Sequence, residues 1–200
     1  MSFDPPSPAK DRRVRRTRAA LLGAAVSLVT ERGTANIPVS DIADAAGVSR
    51  QLVYLHYGDR DNLLLEAALD LARTDLGRPR AETDELIGRE RALAAARHFA
   101  AHRGFYRAMF SSASAFALNK AVSRALAPLP ARYGARLPGE IAEDLAVFVA
   151  NGATALIAAW VSEGDEPLDP ESMADRLQAV GQVVATAIDA LPCPEAPPGE

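Results

Sequence analysis

The sequence predicts an all-α chain, with a small three-helix head carrying a helix-turn-helix and a larger helical bundle behind it. Three observations carry this expectation. Apolar residues recur at three- and four-residue steps through most of the chain. No segment shows the period-two alternation of a half-buried strand. Alanine, the best helix former, is abundant, while aromatics are only 6%.

The chain has 200 residues, enough for one domain or two small ones. With 48% hydrophobic and 24% charged residues it can bury a core and stay in water. Net charge is -4, but unevenly spread. Residues 1–60 hold nine Lys/Arg and six Asp/Glu, whereas residues 61–200 hold thirteen and twenty. A basic head on an acidic body fits a phosphate-binding module attached to something else. The single cysteine, Cys193, can make neither an internal disulfide nor a thiolate cluster, which suits a reducing cytosol. The N-terminus has no apolar signal core. The longest apolar run, LAVFVANGATALIAAWV at 145–161, is short for a membrane span and is interrupted by Asn151, Gly152 and Thr154. A buried bundle helix, with no membrane partner, is the expectation.

Residues 1–9 hold three prolines and no periodicity, and PCPEAPPGE at 192–200 reads likewise, so both are expected as disordered tails. The head is expected over 10–58. Its first helix runs from about Arg12 to Arg32 on the stripe Leu21, Leu22, Ala25, Leu28, Val29, and Gly33 ends it. A second starts near Pro38, tolerated in a first turn, and ends at Gly47. Ser49 is an N-cap for a third, which reaches about Tyr57 and is closed by Gly58. Asp59 caps a fourth, with Leu63, Leu64, Ala67 and Leu71 at helical spacing. This connecting helix and the start of the linker GRPRAETDE, at 77–85, occupy about 59–80. The body, 81–191, holds helical patterns at 85–101 and 103–126, then LPARYGARLPG as a loop. Helices at about 139–162 and 170–190 complete it, joined by SEGDEPLDP.

Two short helices must cross steeply to share a core, and the turn between them needs a residue free to adopt positive φ. Gly47 supplies it. Ala43, four residues earlier, is small where the second helix packs closest. Ile42, Ala46, Val48 and Val53 fill the shared core. That leaves Arg50, Gln51, Leu52, Tyr54, Leu55 and His56 for the other faces of the third helix, the arrangement of a helix-turn-helix whose second helix enters a major groove.

A basic helix followed by DIADAAGVSRQLVYLHYGDRDNLLLEA resembles the N-terminal domain of the TetR family of bacterial transcriptional regulators. The likeness covers about residues 14–70. AGVS, Tyr54, the aromatic Tyr57, Arg60 and Leu63–Leu64 follow the family's pattern. Three positions depart from it. Gln51 and Leu52 stand where the family usually has Gly-Thr, Pro38 where a threonine often starts the second helix, and Arg60 where a lysine is usual. The resemblance implies a DNA-binding head, an all-helical ligand-binding body and a homodimer.

Site residues follow from side-chain chemistry. Tyr54 and His56 carry donors for phosphate oxygens, and Arg60 adds a charge-assisted bond. Arg50 suits guanine, Gln51 adenine, and Leu52 a thymine methyl. Ser49 and Ser40 offer hydroxyls at helix starts. Arg16, in the run KDRRVRRTR at 10–18, is placed for phosphate anchoring. Tyr54 suits a packed position equally well, and Tyr57 suits the core.

In the body, HRGFYRAMF at 102–110 and NGATALIAAWVSEG at 151–164 look like ligand-domain segments of many such regulators. Phe105, Tyr106, Met109, Phe110, Phe116, Asn119, Phe148 and Asn151 are the candidate lining of an apolar effector pocket with a few polar groups. Asn151 needs a partner, and a helix-to-helix hydrogen bond is the plainer one. Leu145, Val149, Ala153, Leu156, Ile157 and Trp160 suit core or interface. In the family the last two helices pair with those of a second subunit.

His98 and His102 sit at i and i+4, which is metal-ligand spacing, but no Glu follows His98 and the sequence names no third ligand. No metal or cofactor is therefore expected, nor any catalytic residue. The expectation is a cytoplasmic, homodimeric regulator, a repressor released from a double-stranded DNA operator by an unidentified small molecule. The alternatives are a small all-helical metal-dependent enzyme using His98 and His102, and a helical adaptor protein.

Overall fold

The structure, a computed structural model, describes residues 8–76, 85–126, 133 and 136–191. Among these there are helices and no strands. Of the tails expected at 1–9 and 192–200, residues 1–7 and 192–200 lie outside the described residues, as do nearly all of the 77–85 linker and most of the 129–139 loop; Pro8 and Ala9 instead open the first helix, expected from about Arg12.

Three helices build the head, α1 (Pro8–Arg32), α2 (Val39–Ala45) and α3 (Arg50–Tyr57), and α4 (Arg60–Leu76) connects it to the body. Their punctuation is local. Gly33, Gly47 and Gly58 all have positive φ and stand where α1, the α2–α3 turn and α3 end. Pro38 caps α2, its carbonyl accepting from Asp41 N at 3.1 Å. Ser49 Oγ accepts from Leu52 N at 3.4 Å, and Asp59 Oδ1 accepts from Asn62 N at 2.7 Å. Leu21, Leu22, Ala25 and Val29 of α1 are buried against Leu63, Leu64, Ala67 and Ala68 of α4. Arg18 bridges to Glu66 and Asp70 along the same seam, and Arg32 holds Asp41 at 2.6 Å between α1 and α2.

The body holds α5 (Arg89–Ala101), α6 (Arg103–Phe110), α7 (Ala115–Leu126), α8 (Gly139–Glu163) and α9 (Pro170–Asp189). The helix expected over 103–126 is two helices. Serines interrupt it: Ser112 Oγ donates to Met109 O at 2.7 Å and accepts from Ser114 N at 3.1 Å, so side chains satisfy the backbone where a helical ladder would otherwise run. α5 starts at Arg89 rather than about 85, after the N-cap Gly88. α9 packs most extensively on α5, α7 packs on α8, and α6 lies against α1, α7 and α8. Arg103 clamps α6 to the end of α8, donating to Val161 O at 3.0 Å and Gly164 O at 2.6 Å, a cation where the helix dipole is negative. Buried residues from Leu21 to Leu177 form one continuous cluster through head and body.

α8 departs from the expected buried bundle helix. Its mean hydropathy reaches 1.8, yet only 22% of its most apolar window is buried within the chain. Ile141, Val147 and Phe148 are exposed, and so are Val180 and Val183 of α9.

Gly47 offers a clean stability test. A Cβ there would meet nothing within 4 Å, so only its φ of 66° matters. We predict that Gly47→Ala lowers stability by about 1–2 kcal/mol. Gly47→Asn will lose less, because Asn tolerates that region better. Equal denaturation midpoints for all three proteins would contradict this.

Candidate nucleic-acid interface

The turn after α2 is set by backbone and glycine together. Gly47 N donates to Asp44 O at 3.1 Å, and Val48 N donates to Ala43 O at 2.9 Å. The chain then reverses into α3. Ile42, Ala43 and Val53 are fully buried, while Ala46 and Val48 are partly buried against the same core. With Val53 inward, the helical period turns Gln51, Tyr54 and Leu55 away from the core, and Arg50 and His56, which flank the buried stripe, are exposed as well. Tyr54 is 53% exposed, so its ring is not part of the core, and Tyr57 is half-buried and packed against it. Burial raises the Tyr57 phenol pKa above its ordinary value. Leu52 is half-buried.

Leu55 is 77% exposed, and sequence reasoning gave it no role. Its signal was present: it follows Val53 by two residues and so falls off the buried stripe of a helix.

Other expected residues are partly committed within the chain. Arg60 donates from Nη1 to Asn36 Oδ1 at 2.6 Å and from Nε to Asp61 Oδ1 at 2.9 Å. Ser40 Oγ donates to Asp41 Oδ1 at 3.1 Å. The Asp41 carboxyl is held below its usual range, chiefly by the Arg32 hydrogen bond. Ser49 serves as the cap described above. Arg16 is exposed on α1, whereas Arg18 of the same run turns to Glu66.

The candidate effector residues differ widely in exposure. Phe105, Tyr106 and Met109 are fully buried, with the Phe99 ring tilted against Tyr106 at a centroid distance of 4.5 Å, so they fill core. Phe110 and Asn119 are half-buried. Phe116 and Phe148 stand at the surface, 79% and 72% exposed. Asn151 is exposed and bonded between helices: its Oδ1 lies 3.0 Å from Ser123 Oγ of α7, beside Thr154. Trp160 packs on the core. A cleft of about 610 Å³ opens elsewhere, at the junction of head and body. It is lined by Gly33–Asn36, Arg60, Asp61, Gly104, Arg107, Ala108 and Ser111–Ser114.

His98 and His102 share an acceptor that the sequence did not reveal. Asp75 Oδ2 lies 2.8 Å from His98 Nδ1 and 2.8 Å from His102 Nε2. Burial pushes the His98 pKa down, and the His98 hydrogen bond holds the Asp75 carboxyl below its usual range.

Comparison with known proteins agrees with this architecture. Residues 21–67 match the family described as bacterial regulatory proteins, tetR family. Over 56 residues, 28% of this chain, the sequence is 41% identical to the HTH-type transcriptional regulator BetI of Agrobacterium fabrum (strain C58). That stretch spans 27% of the relative's own length. In fold the likeness runs much further. The dihydroxyacetone kinase operon activator DhaS superposes with a TM-score of 0.60 at 16% identity, covering 86% of this chain and 97% of that one. A TetR transcriptional regulator from Rhodococcus sp. RHA1 also gives a TM-score of 0.60, at 18% identity, covering 86% and 98%. The head, residues 21–67, thus matches the tetR family of bacterial regulatory proteins in sequence, and most of the chain shares the fold of solved TetR-type regulators.

Proposed function

We propose that this chain is a homodimeric, ligand-responsive repressor that binds an operator through α3. One observation carries the reading: Val53 is sealed in the core while Arg50, Gln51 and Tyr54 project to solvent from the same two turns. A helix held so firmly on one side and left bare on the other is shaped for a groove. Arg50 and Gln51 read base edges, Leu52 and Leu55 offer apolar contact to thymine methyls, and Tyr54, His56 and Arg16 hold phosphates. Arg60 reaches phosphate only by loosening its bond to Asn36. The match of the head to a family of DNA-binding regulators favours this reading over the enzyme alternative.

Two half-sites need two heads. The uncovered apolar residues of α8 and α9 supply the second-copy contact, since monomers rarely leave such patches bare and two-fold dimers are the commonest closed assembly. The two α3 helices must then lie roughly 34–36 Å apart to enter successive grooves. A small molecule seated among α6, α7 and α8 would favour another spacing. It can shift the balance only by its differential affinity for the two states. Because Phe105, Tyr106 and Met109 are fully packed, its entry requires α7 to move, and half-buried Phe110 and Asn119 border that route.

The test is a gel-shift titration with duplex carrying the region upstream of the protein's own coding sequence. The wild-type shift should weaken as salt rises, through counterion release. Tyr54→Ala should bind roughly tenfold to a hundredfold more weakly, the value of a hydrogen bond to a charged group, with an unchanged unfolding midpoint. Wild-type affinity in that variant would remove Tyr54 from the interface.

A further inference from the structure

We propose that Asp75, His98 and His102 form a binding site for a divalent transition-metal ion of the zinc class, joining the end of α4 to α5. The sequence offers two imidazoles at ligand spacing. The fold adds the third donor from 23 residues upstream of His98. Asp75 Oδ2 stands 2.8 Å from each histidine nitrogen, and the three donor atoms all lie within 4.8 Å of one another. Two imidazole nitrogens and one carboxylate oxygen within that span make a suitable donor set for zinc.

The ring of His98 is already aimed. Its side chain is 1% exposed, and its other nitrogen, Nε2, lies 2.7 Å from the Tyr106 hydroxyl. That hydroxyl lies 3.2 Å from Ala68 O, on the helix that also carries Asp75. A ligating histidine is commonly oriented in this way, by a hydrogen bond at the nitrogen facing away from the metal. Asp75 and His102 keep 35% and 28% of their side chains exposed, so an ion reaches the site from solvent and can keep a water as fourth ligand. With metal–donor bonds of about 2.0–2.2 Å at tetrahedral angles, the donors would stand about 3.3 Å apart. The two Asp75–histidine distances would then open by about 0.5 Å, a change that falls on Asp75, in the last turn of α4 and the most exposed of the three.

The placement suggests what the ion does. α4 begins in the head, with Leu63 and Leu64 buried in the core, and ends at this site. An ion there pins the far end of the helix that joins head to body. The junction cleft is lined by other residues. The effect on operator affinity rests on the regulator reading, but ion binding does not.

The test uses the full chain, stripped with a chelator and dialysed, without DNA. Zn²⁺ is titrated calorimetrically, and the ion retained after desalting is counted. One ion per chain is expected, with affinity falling at least tenfold to a hundredfold in both His102→Ala and Asp75→Asn. Both side chains are partly exposed, so circular dichroism should show folded variants. Co²⁺ in place of zinc should give visible absorption that is lost in His102→Ala. Failure of the wild-type protein to retain zinc, or equal retention in both variants, overturns the site and leaves a hydrogen-bonded relay only. A protein that takes up zinc in this pattern yet shifts no duplex keeps the site and sinks the regulator reading instead.

Discussion

Val53→Asp will abolish operator binding by unfolding the head. Val53 is 0% exposed at the crossing of α2 and α3, against Ile42 and Ala43. Burying a valine contributes roughly 1.5–3 kcal/mol, and a carboxylate in its place meets no cation there. The combined loss should reach about 4 kcal/mol or more, a large part of the roughly 5–15 kcal/mol that holds a typical domain together. Val53→Ala removes two methyl groups and should cost about 2 kcal/mol, leaving a folded head with weaker margins. Urea unfolding followed by gel shift separates the cases. The aspartate variant should show an early head transition and no shift, whereas the alanine variant should show a lowered midpoint and a shift. A Val53→Asp protein with the wild-type midpoint and a normal shift would mean that α3 is not seated as described.

Phe148→Glu will split the dimer without unfolding its subunits. Phe148 is 72% exposed in the single chain, so its replacement removes little from the subunit core. In a two-fold dimer the same substitution appears twice at the contact. Losing a central aromatic costs about 2 kcal/mol or more per copy, so about 4 kcal/mol in total, roughly a thousandfold in dissociation constant. Adding Val183→Glu on α9 should deepen the effect. Sedimentation should show a dimer for the wild-type protein and monomer at the same micromolar loading for the variant, with the unfolding midpoint of the isolated subunit unchanged. Operator affinity should fall with it, because one head alone holds half a site. A variant that stays dimeric places the interface elsewhere.

The head was legible because its signals act over a few residues. Gly33, Gly47 and Gly58 mark ends that the backbone reaches only at positive φ, and Ser49 and Asp59 cap the helices that follow. The stripe of α1 and the inward Val53 follow from helical period alone. Those cues placed the α2–α3 turn, and hence the outward residues of α3. The body was less legible. An apolar pattern over 103–126 reads as one helix, and Ser112 breaks it through side-chain bonds to Met109 O and Ser114 N that composition does not display.

Apolar character also says that a residue leaves water without saying where it goes. Phe105 and Tyr106 went into the core, whereas Phe116 and Phe148, equally apolar, went to the surface. Asn151 found its partner on α7, at Ser123. Asp75 reached both histidines from another helix. By itself, then, the sequence determined an all-helical chain with a helix-turn-helix head, because periodicity, caps and positive-φ glycines are properties of neighbouring residues. Only the tertiary structure decided which apolar side chains fill the core, which stay exposed, and which carboxylate meets the two histidines. Those outcomes depend on contacts between residues far apart in the chain, and local spacing does not encode them.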